Sequence, residues 1–200
     1  MIRFYKIISV VLHPIVVPTI GVILYFILIP NTYASNQKLA LLGLIFVTTY
    51  LVPLLILILF KKLKLINTFN TYSIKERKIP VALMIVVFYL LANTIAKNTV
   101  MLDISLLFYA TSAALTFIYL CFGYQLKVSI HLLALGISTG FFILLGYIYN
   151  YSFAIVIIGN IVLAGLVANA RLYLNAHTPK EVYLGYFIGF IAPFPVYYFL

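Results

Sequence analysis

Residues 39–60 read LALLGLIFVTTYLVPLLILILF, a run that holds no charged residue. A helix needs about 20 apolar residues to cross hydrocarbon, whereas the strands of a membrane barrel alternate in polarity over about ten. Hydrocarbon also forces every backbone N–H and C=O to find a partner within the protein, which leaves only helices and closed barrels. The length of this run predicts a helix. Working outward, runs of the same kind lie near 7–29, 79–96, 101–124, 129–149, 151–170 and 181–199. The chain therefore reads as an all-α, polytopic transmembrane bundle of about seven spans, a single membrane-embedded domain over residues 1–200.

Composition supports that reading. Hydrophobic residues make up 66% of the chain and charged residues 8%, against about a quarter charged in soluble domains, so a water-soluble globule is excluded. The first run is longer than the 7–15 residues of a signal-peptide core and is followed by no A-x-A site, so it is expected to remain as an anchor. Cys121 is the only cysteine, which excludes an intrachain disulfide. Three histidines, no cysteine pair and a single aspartate make a protein-only metal site an unpromising expectation.

The net charge is +10, with Glu76, Asp103 and Glu181 the only acids. Nucleic acid is not implied, because the basic residues sit between apolar runs, where they report loop orientation and anionic headgroups. With seven spans, one side carries Arg3, Lys6, Lys61, Lys62, Lys64, Lys75, Arg77, Lys78, Lys127, Arg171 and Lys180, and only Lys38 and Lys97 lie opposite. That asymmetry predicts a cytoplasmic location for the crowded side in a multi-pass protein of the plasma (inner) membrane. A site for a phosphate-bearing ligand would add cations to the same side.

Three segments on that side could carry chemistry. Arg171-Leu-Tyr-Leu-Asn-Ala-His177-Thr-Pro-Lys-Glu181 joins the sixth run to the seventh. Thr178 suits an N-cap, Pro179 the first helical turn, and Glu181 the positive end of the helix dipole. His177 is then within reach of Glu181, and a carboxylate on one imidazole nitrogen raises the nucleophilicity of the other. Arg171 adds a planar fork suited to phosphate oxygens. The same residues also make an ordinary helix start with interfacial His177 and Arg171.

Lys127-Val-Ser129-Ile-His131 opens the fifth run. Residues two apart do not meet on a helix, so an unwound entrance is expected, where hydroxyl, backbone N–H groups and imidazole can converge on an anion. A serine cap with an interfacial histidine is the plainer alternative. Lys75-Glu-Arg77-Lys78-Ile-Pro80, before the third run, alone signifies headgroup contact. His13, Pro14 and Pro18 fall inside the first run, where prolines predict a kinked helix or a broken entry.

In this order the three segments resemble the type 2 phosphatidic acid phosphatase superfamily, which shows Lys-x6-Arg-Pro, Pro-Ser-Gly-His and Ser-Arg-x5-His-x3-Asp. Arg171-x5-His177-x3-Glu181 keeps the third spacing, followed by Gly185 and Gly189, and Ser129-x-His131 keeps the Ser and His of the second. The likeness covers about residues 70–190. It departs at Tyr72 and Ile79 in the first motif, where only Pro80 aligns, at Val128 and Ile130 in the second, and at Ala170 and Glu181 in the third.

The resemblance implies a six-helix phosphatase-like core and a metal-independent lipid phosphate or diphosphate phosphatase, or phosphotransferase, with no cofactor. It makes His177 the nucleophile that becomes phosphohistidine, Glu181 its orienting acid and His131 the proton donor to the leaving alkoxide. Arg171 and Ser129 would hold phosphoryl oxygens, with Lys127, Lys75, Arg77 and Lys78 supplying further positive charge. The implied partners are a lipid phosphate or isoprenoid diphosphate and membrane lipids. The family usually places its site on the extracytoplasmic face, opposite to the charge count. The alternative is a non-catalytic protein of the same fold that binds or transports an anionic lipid. A magnesium-dependent prenyl or sugar-lipid transferase would need clustered acids, and Asp103 stands alone on the other side.

Overall fold

The computed structural model describes residues 2–30, 33–66, 73–98 and 101–200, and among these it contains helices and no strand. The centre of the basic connection expected over 61–78, with Tyr72, lies outside the described residues. Six helical segments are long and apolar enough to cross a membrane: Ser35–Lys62, Ile74–Ala96, Leu102–Tyr124, Ile130–Tyr149, Ala154–Tyr173 and Pro179–Phe199. They mark the chain as an integral membrane protein. Leu55, Ile155, Phe187 and Tyr198 are among many large apolar side chains on the outside; a hydrocarbon solvent accounts for so apolar an exterior.

The first expected span is not one continuous helix. It divides into α1 (Ile2–Val11) and α2 (Val17–Leu28). Pro14 has no N–H to donate and clashes with the preceding turn, so the chain turns instead, with Val16 N–H donating to the His13 carbonyl at 2.9 Å. At about 1.5 Å per residue, twelve-residue α2 is roughly 18 Å long, short of a bilayer core. The second span is α3 (Ser35–Phe46) and α4 (Val52–Lys62), joined by a π-turn at Val47–Leu51. There Val52 N–H reaches back to the Val47 carbonyl, a widened turn that accommodates the missing donor of Pro53.

α5 (Ile74–Ala96) starts earlier than the expected 79, because the Ser73 hydroxyl caps it by accepting the Glu76 N–H at 3.2 Å. Arg77 consequently sits on a helix rather than in a loop. α6 (Leu102–Cys121) and α7 (Ile130–Tyr149) are the most enclosed helices and supply the fully buried Phe108, Phe141 and Phe142. α8 (Ala154–Tyr173) is held to α7 by Asn160 Nδ2 donating to Ser138 Oγ at 3.0 Å. The last span is α9 (Pro179–Ile191) and α10 (Pro193–Phe199), broken at Pro193.

The helices alternate in direction, so their ends fall into two sets. At one end, Tyr25 Oη lies 3.4 Å from both Asp103 Oδ2 and Tyr149 Oη, and Tyr149 Oη also contacts Asp103. The start of α7, about 30 Å away along a helix of this length, meets the start of α9, where Ser129 N–H donates to the Glu181 carbonyl at 3.1 Å. Asp103 and the three motif segments thus occupy opposite ends of the bundle.

The α7–α9 contact is unusually close. A Cβ placed on Gly136 or Gly140 would overlap the carbonyl oxygens of Tyr186 and Phe190, and one on Gly185 or Gly189 would overlap those of Ser129 and Leu133. Each helix carries a G-x-x-x-G pair, the spacing that lets two backbones touch in a membrane.

Candidate active site

Local rules fix the α9 entrance. The Thr178 hydroxyl accepts the Glu181 N–H at 3.4 Å, and Glu181 Oε2 accepts the Thr178 N–H at 3.0 Å. This reciprocal pair is a capping box, with Pro179 in the first turn. The same carboxylate oxygen lies 3.1 Å from His177 Nδ1, which is also 2.9 Å from the Lys127 carbonyl oxygen. Both partners of Nδ1 are acceptors, so the proton of the neutral ring resides there and Nε2 carries the lone pair.

His177 is buried in the turn between α8 and α9. Its pKa lies below the ordinary 6.5, first because burial disfavours the charged ring and then because Arg77, Arg171 and Lys127 repel it, with Glu181 opposing. The Lys127 ammonium is lowered as well, by burial and then by Arg77. A lowered imidazole keeps its lone pair as pH falls through 6.5. We expect the acid limb of any reaction that uses His177 as nucleophile to lie below pH 6.5, as measured by the pH dependence of single turnover; a limb at or above 6.5 contradicts this. By the same sign, the stability linked to this ring is complete above pH 6.5 and is lost as pH falls through the lowered value.

His177 also lines a cavity of ≈ 260 Å³, together with Arg77, His131 and Arg171. The structure therefore brings together the imidazole of the α7 entrance, the guanidinium at the end of α8, the imidazole before α9 and one cation of the first segment. Arg77 is buried in this wall. Ser129 is extended and buried, does not line the cavity, and its hydroxyl has no hydrogen-bond partner among the described residues. It is therefore not a side-chain cap. His131, expected in an unwound stretch, lies instead in the first turn of α7.

Lys75 and Lys78 are exposed and take no part in the cavity wall, because Arg77 alone of the three turns inward on α5. Lys127 contributes its carbonyl to His177. Among the described residues no three His, Cys, Asp or Glu side chains group as they would around a metal ion.

Ser9 and His13, outside the three motifs, also line the cavity. Ser9 accepts from Arg171 Nη1 at 2.8 Å through its hydroxyl, and its carbonyl oxygen is 3.2 Å from His131 Nε2. The His13 ring lies 5.2 Å from that of His131 at an interplanar angle of 77°. The signal for His13 was in the sequence, as a polar residue with two nearby prolines inside an apolar run. Nothing local announced Ser9.

Away from the polar end the cavity is walled by Phe88, Leu107, Leu115, Ile137 and Phe141. Two guanidinium groups and a neutral, oriented imidazole at one end of an apolar chamber can bind an anionic headgroup with its tail inside, and can attack a phosphorus atom held there. No family model, no curated protein and no solved structure matches the chain.

Proposed function

We propose that this chain is a membrane-embedded phosphatase or phosphotransferase that acts on a lipid phosphate or diphosphate through a phosphohistidine at His177, as a divergent relative of the type 2 phosphatidic acid phosphatases. The observation that carries the proposal is the shared cavity. His177 lines it together with Arg171 and Arg77, and Glu181 and the Lys127 carbonyl hold the ring proton on Nδ1, which leaves Nε2 unprotonated. Phosphoryl transfer depends mostly on positioning and on cations around the equatorial oxygens, and this cluster supplies both.

In this reading Nε2 of His177 forms the N–P bond as the bond from phosphorus to the lipid oxygen breaks. Water then displaces the imidazole to release inorganic phosphate. Arg171 and Arg77 neutralise the phosphoryl oxygens, and the apolar walls hold the tail. The α1–α2 pair provides a first crossing, giving seven, with the site at the cytoplasmic surface by the distribution of charge.

A non-catalytic binder of anionic lipid would use the same cations and chamber, but it has no need of a hydrogen-bonded His177–Glu181 pair. The test is phosphate release from phosphatidate and from an isoprenoid diphosphate by the purified protein in lipid vesicles. Turnover of either supports the enzyme; saturable binding of both without release favours the binder.

A further inference from the structure

Within the phosphatase reading, on which this inference rests, we infer that Ser138 is a specificity residue. Its hydroxyl donates a hydrogen bond to a carbonyl in the body of the lipid, so the chamber takes an acyl lipid phosphate in preference to one whose body is hydrocarbon alone. Ser138 is buried and lines the cavity. It stands two turns beyond His131 on α7, and residues at that spacing share a helix face. A ligand that runs along this face from the polar end therefore meets Ser138 about 10 Å further in.

Away from Ser9 the lining carries three hydroxyl side chains, those of Thr49, Thr111 and Ser138. Thr111 Oγ1 donates to the Leu107 carbonyl at 2.7 Å, within its own helix. Thr49 Oγ1 lies 3.2 Å from Thr19 Oγ1, so these two hydroxyls serve each other. Ser138 differs, because its oxygen accepts from Asn160 Nδ2 at 3.0 Å while its O–H has no acceptor among the described residues. A hydroxyl has one donor and two lone pairs; Asn160 occupies a lone pair, polarises the group and leaves the donor uncommitted. Linking α8 to α7 accounts for the bond that Ser138 accepts. It does not account for a donor left unmatched among apolar walls, where an unsatisfied polar group is unfavourable.

A carbonyl oxygen only accepts, which matches a free donor. In an acyl glycerol phosphate about six bonds separate phosphorus from the carbonyl carbon, roughly 7 Å in an extended chain. The Cα–Cβ bond of Ser138 tilts back toward the start of α7, which brings the hydroxyl closer to the phosphoryl end than the span between backbone positions. A plain alkyl or prenyl phosphate offers no acceptor at this depth and leaves the Ser138 donor unmatched.

The purified chain in detergent tests this with three substrates that share one tail: 1-oleoyl glycerol 3-phosphate, its 1-O-oleyl ether, which lacks only the carbonyl oxygen, and oleyl phosphate. Wild type is expected to show a kcat/KM for the acyl ester roughly five- to tenfold above that for the ether, the scale of one hydrogen bond. Ser138→Ala is expected to lower the ester value by about that factor relative to the ether, so that the preference disappears. A role confined to packing α8 on α7 would lower all three substrates alike and leave the preference in place. Turnover of the ether by Ser138→Ala doubles as its folding control, and Ser138→Cys, with its weak S–H donor, repeats the comparison if the alanine variant does not elute as a single species. Equal turnover of ester and ether by wild type, a preference that persists in the Ser138 variants, or turnover of oleyl phosphate alone overturns the assignment while leaving the phosphatase intact. Release of phosphate from none of the three overturns the phosphatase reading and this assignment with it.

Discussion

His177→Ala is expected to lower phosphate release from a lipid phosphate by roughly 10⁴-fold or more, the scale seen when a covalent nucleophile is removed. The change deletes Nε2, the nitrogen on which the N–P bond would form. The fold should survive, because Glu181 Oε2 keeps the Thr178 N–H and the capping box of α9 does not involve the ring. Glu181→Gln retains a hydrogen-bond acceptor for Thr178 but loses the charge that orients His177, and should cost about 10²-fold. The two residues act as a unit, so the double variant should be no slower than His177→Ala alone. Steady-state phosphate release by the four proteins, with melting temperature as a control, checks this; additive losses would mean that Glu181 acts through something other than His177.

Gly136→Val and Gly189→Val are expected to destabilise the bundle by about 3 kcal/mol or more each, at the upper end for overpacking. A Cβ on Gly136 would lie 2.9 Å from the Phe190 amide nitrogen and overlap the Tyr186 carbonyl oxygen, and one on Gly189 would lie 2.9 Å from the Ile137 nitrogen and overlap the Leu133 carbonyl oxygen. These obstacles are backbone, so no side chain can rotate away. Either the helices separate or α9 shifts along α7, and both movements pull His177 and Glu181 away from Lys127 and Ser129. Activity should therefore fall together with thermal stability. Gly159→Ala and Gly165→Ala on α8 meet nothing within 4 Å and should be neutral or stabilising by about 0.5–1 kcal/mol, the ordinary gain from replacing a helical glycine. Melting temperatures in detergent separate the two pairs, and similar values for all four would show that α7 and α9 do not pack at their glycines.

Much of the bundle is legible along the chain, because hydrocarbon imposes a length on every helix that crosses it and the run at 39–60 meets that length on its own. The α9 entrance is legible for a different reason. Thr178, Pro179 and Glu181 act within one turn, so their spacing alone specifies the capping box and brings His177 to the carboxylate. Hydropathy alone averages over the break at 7–29, and it is His13 and Pro14 that signal a kink or a broken entry there. Hydropathy misleads at Lys75–Lys78, where a basic run looks like a loop although Ser73 has already started the helix. The contacts of Ser9 with His131 and Arg171 join residues more than 100 positions apart, and no local pattern encodes them. Gly185 and Gly189 were visible as residues of the last span, but their packing against the main chain of α7 is a tertiary fact.

Everything chemical in this account depends on His177 Nε2 forming a bond to phosphorus. Rapid quench of the purified protein in alkaline detergent during turnover of a lipid phosphate labelled with ³²P, followed by peptide mapping at alkaline pH, addresses that bond directly. The account predicts acid-labile, alkali-stable label on the peptide that contains His177 and none in His177→Ala. Turnover with no protein-bound label at any quench time, or label on a different residue, would contradict it.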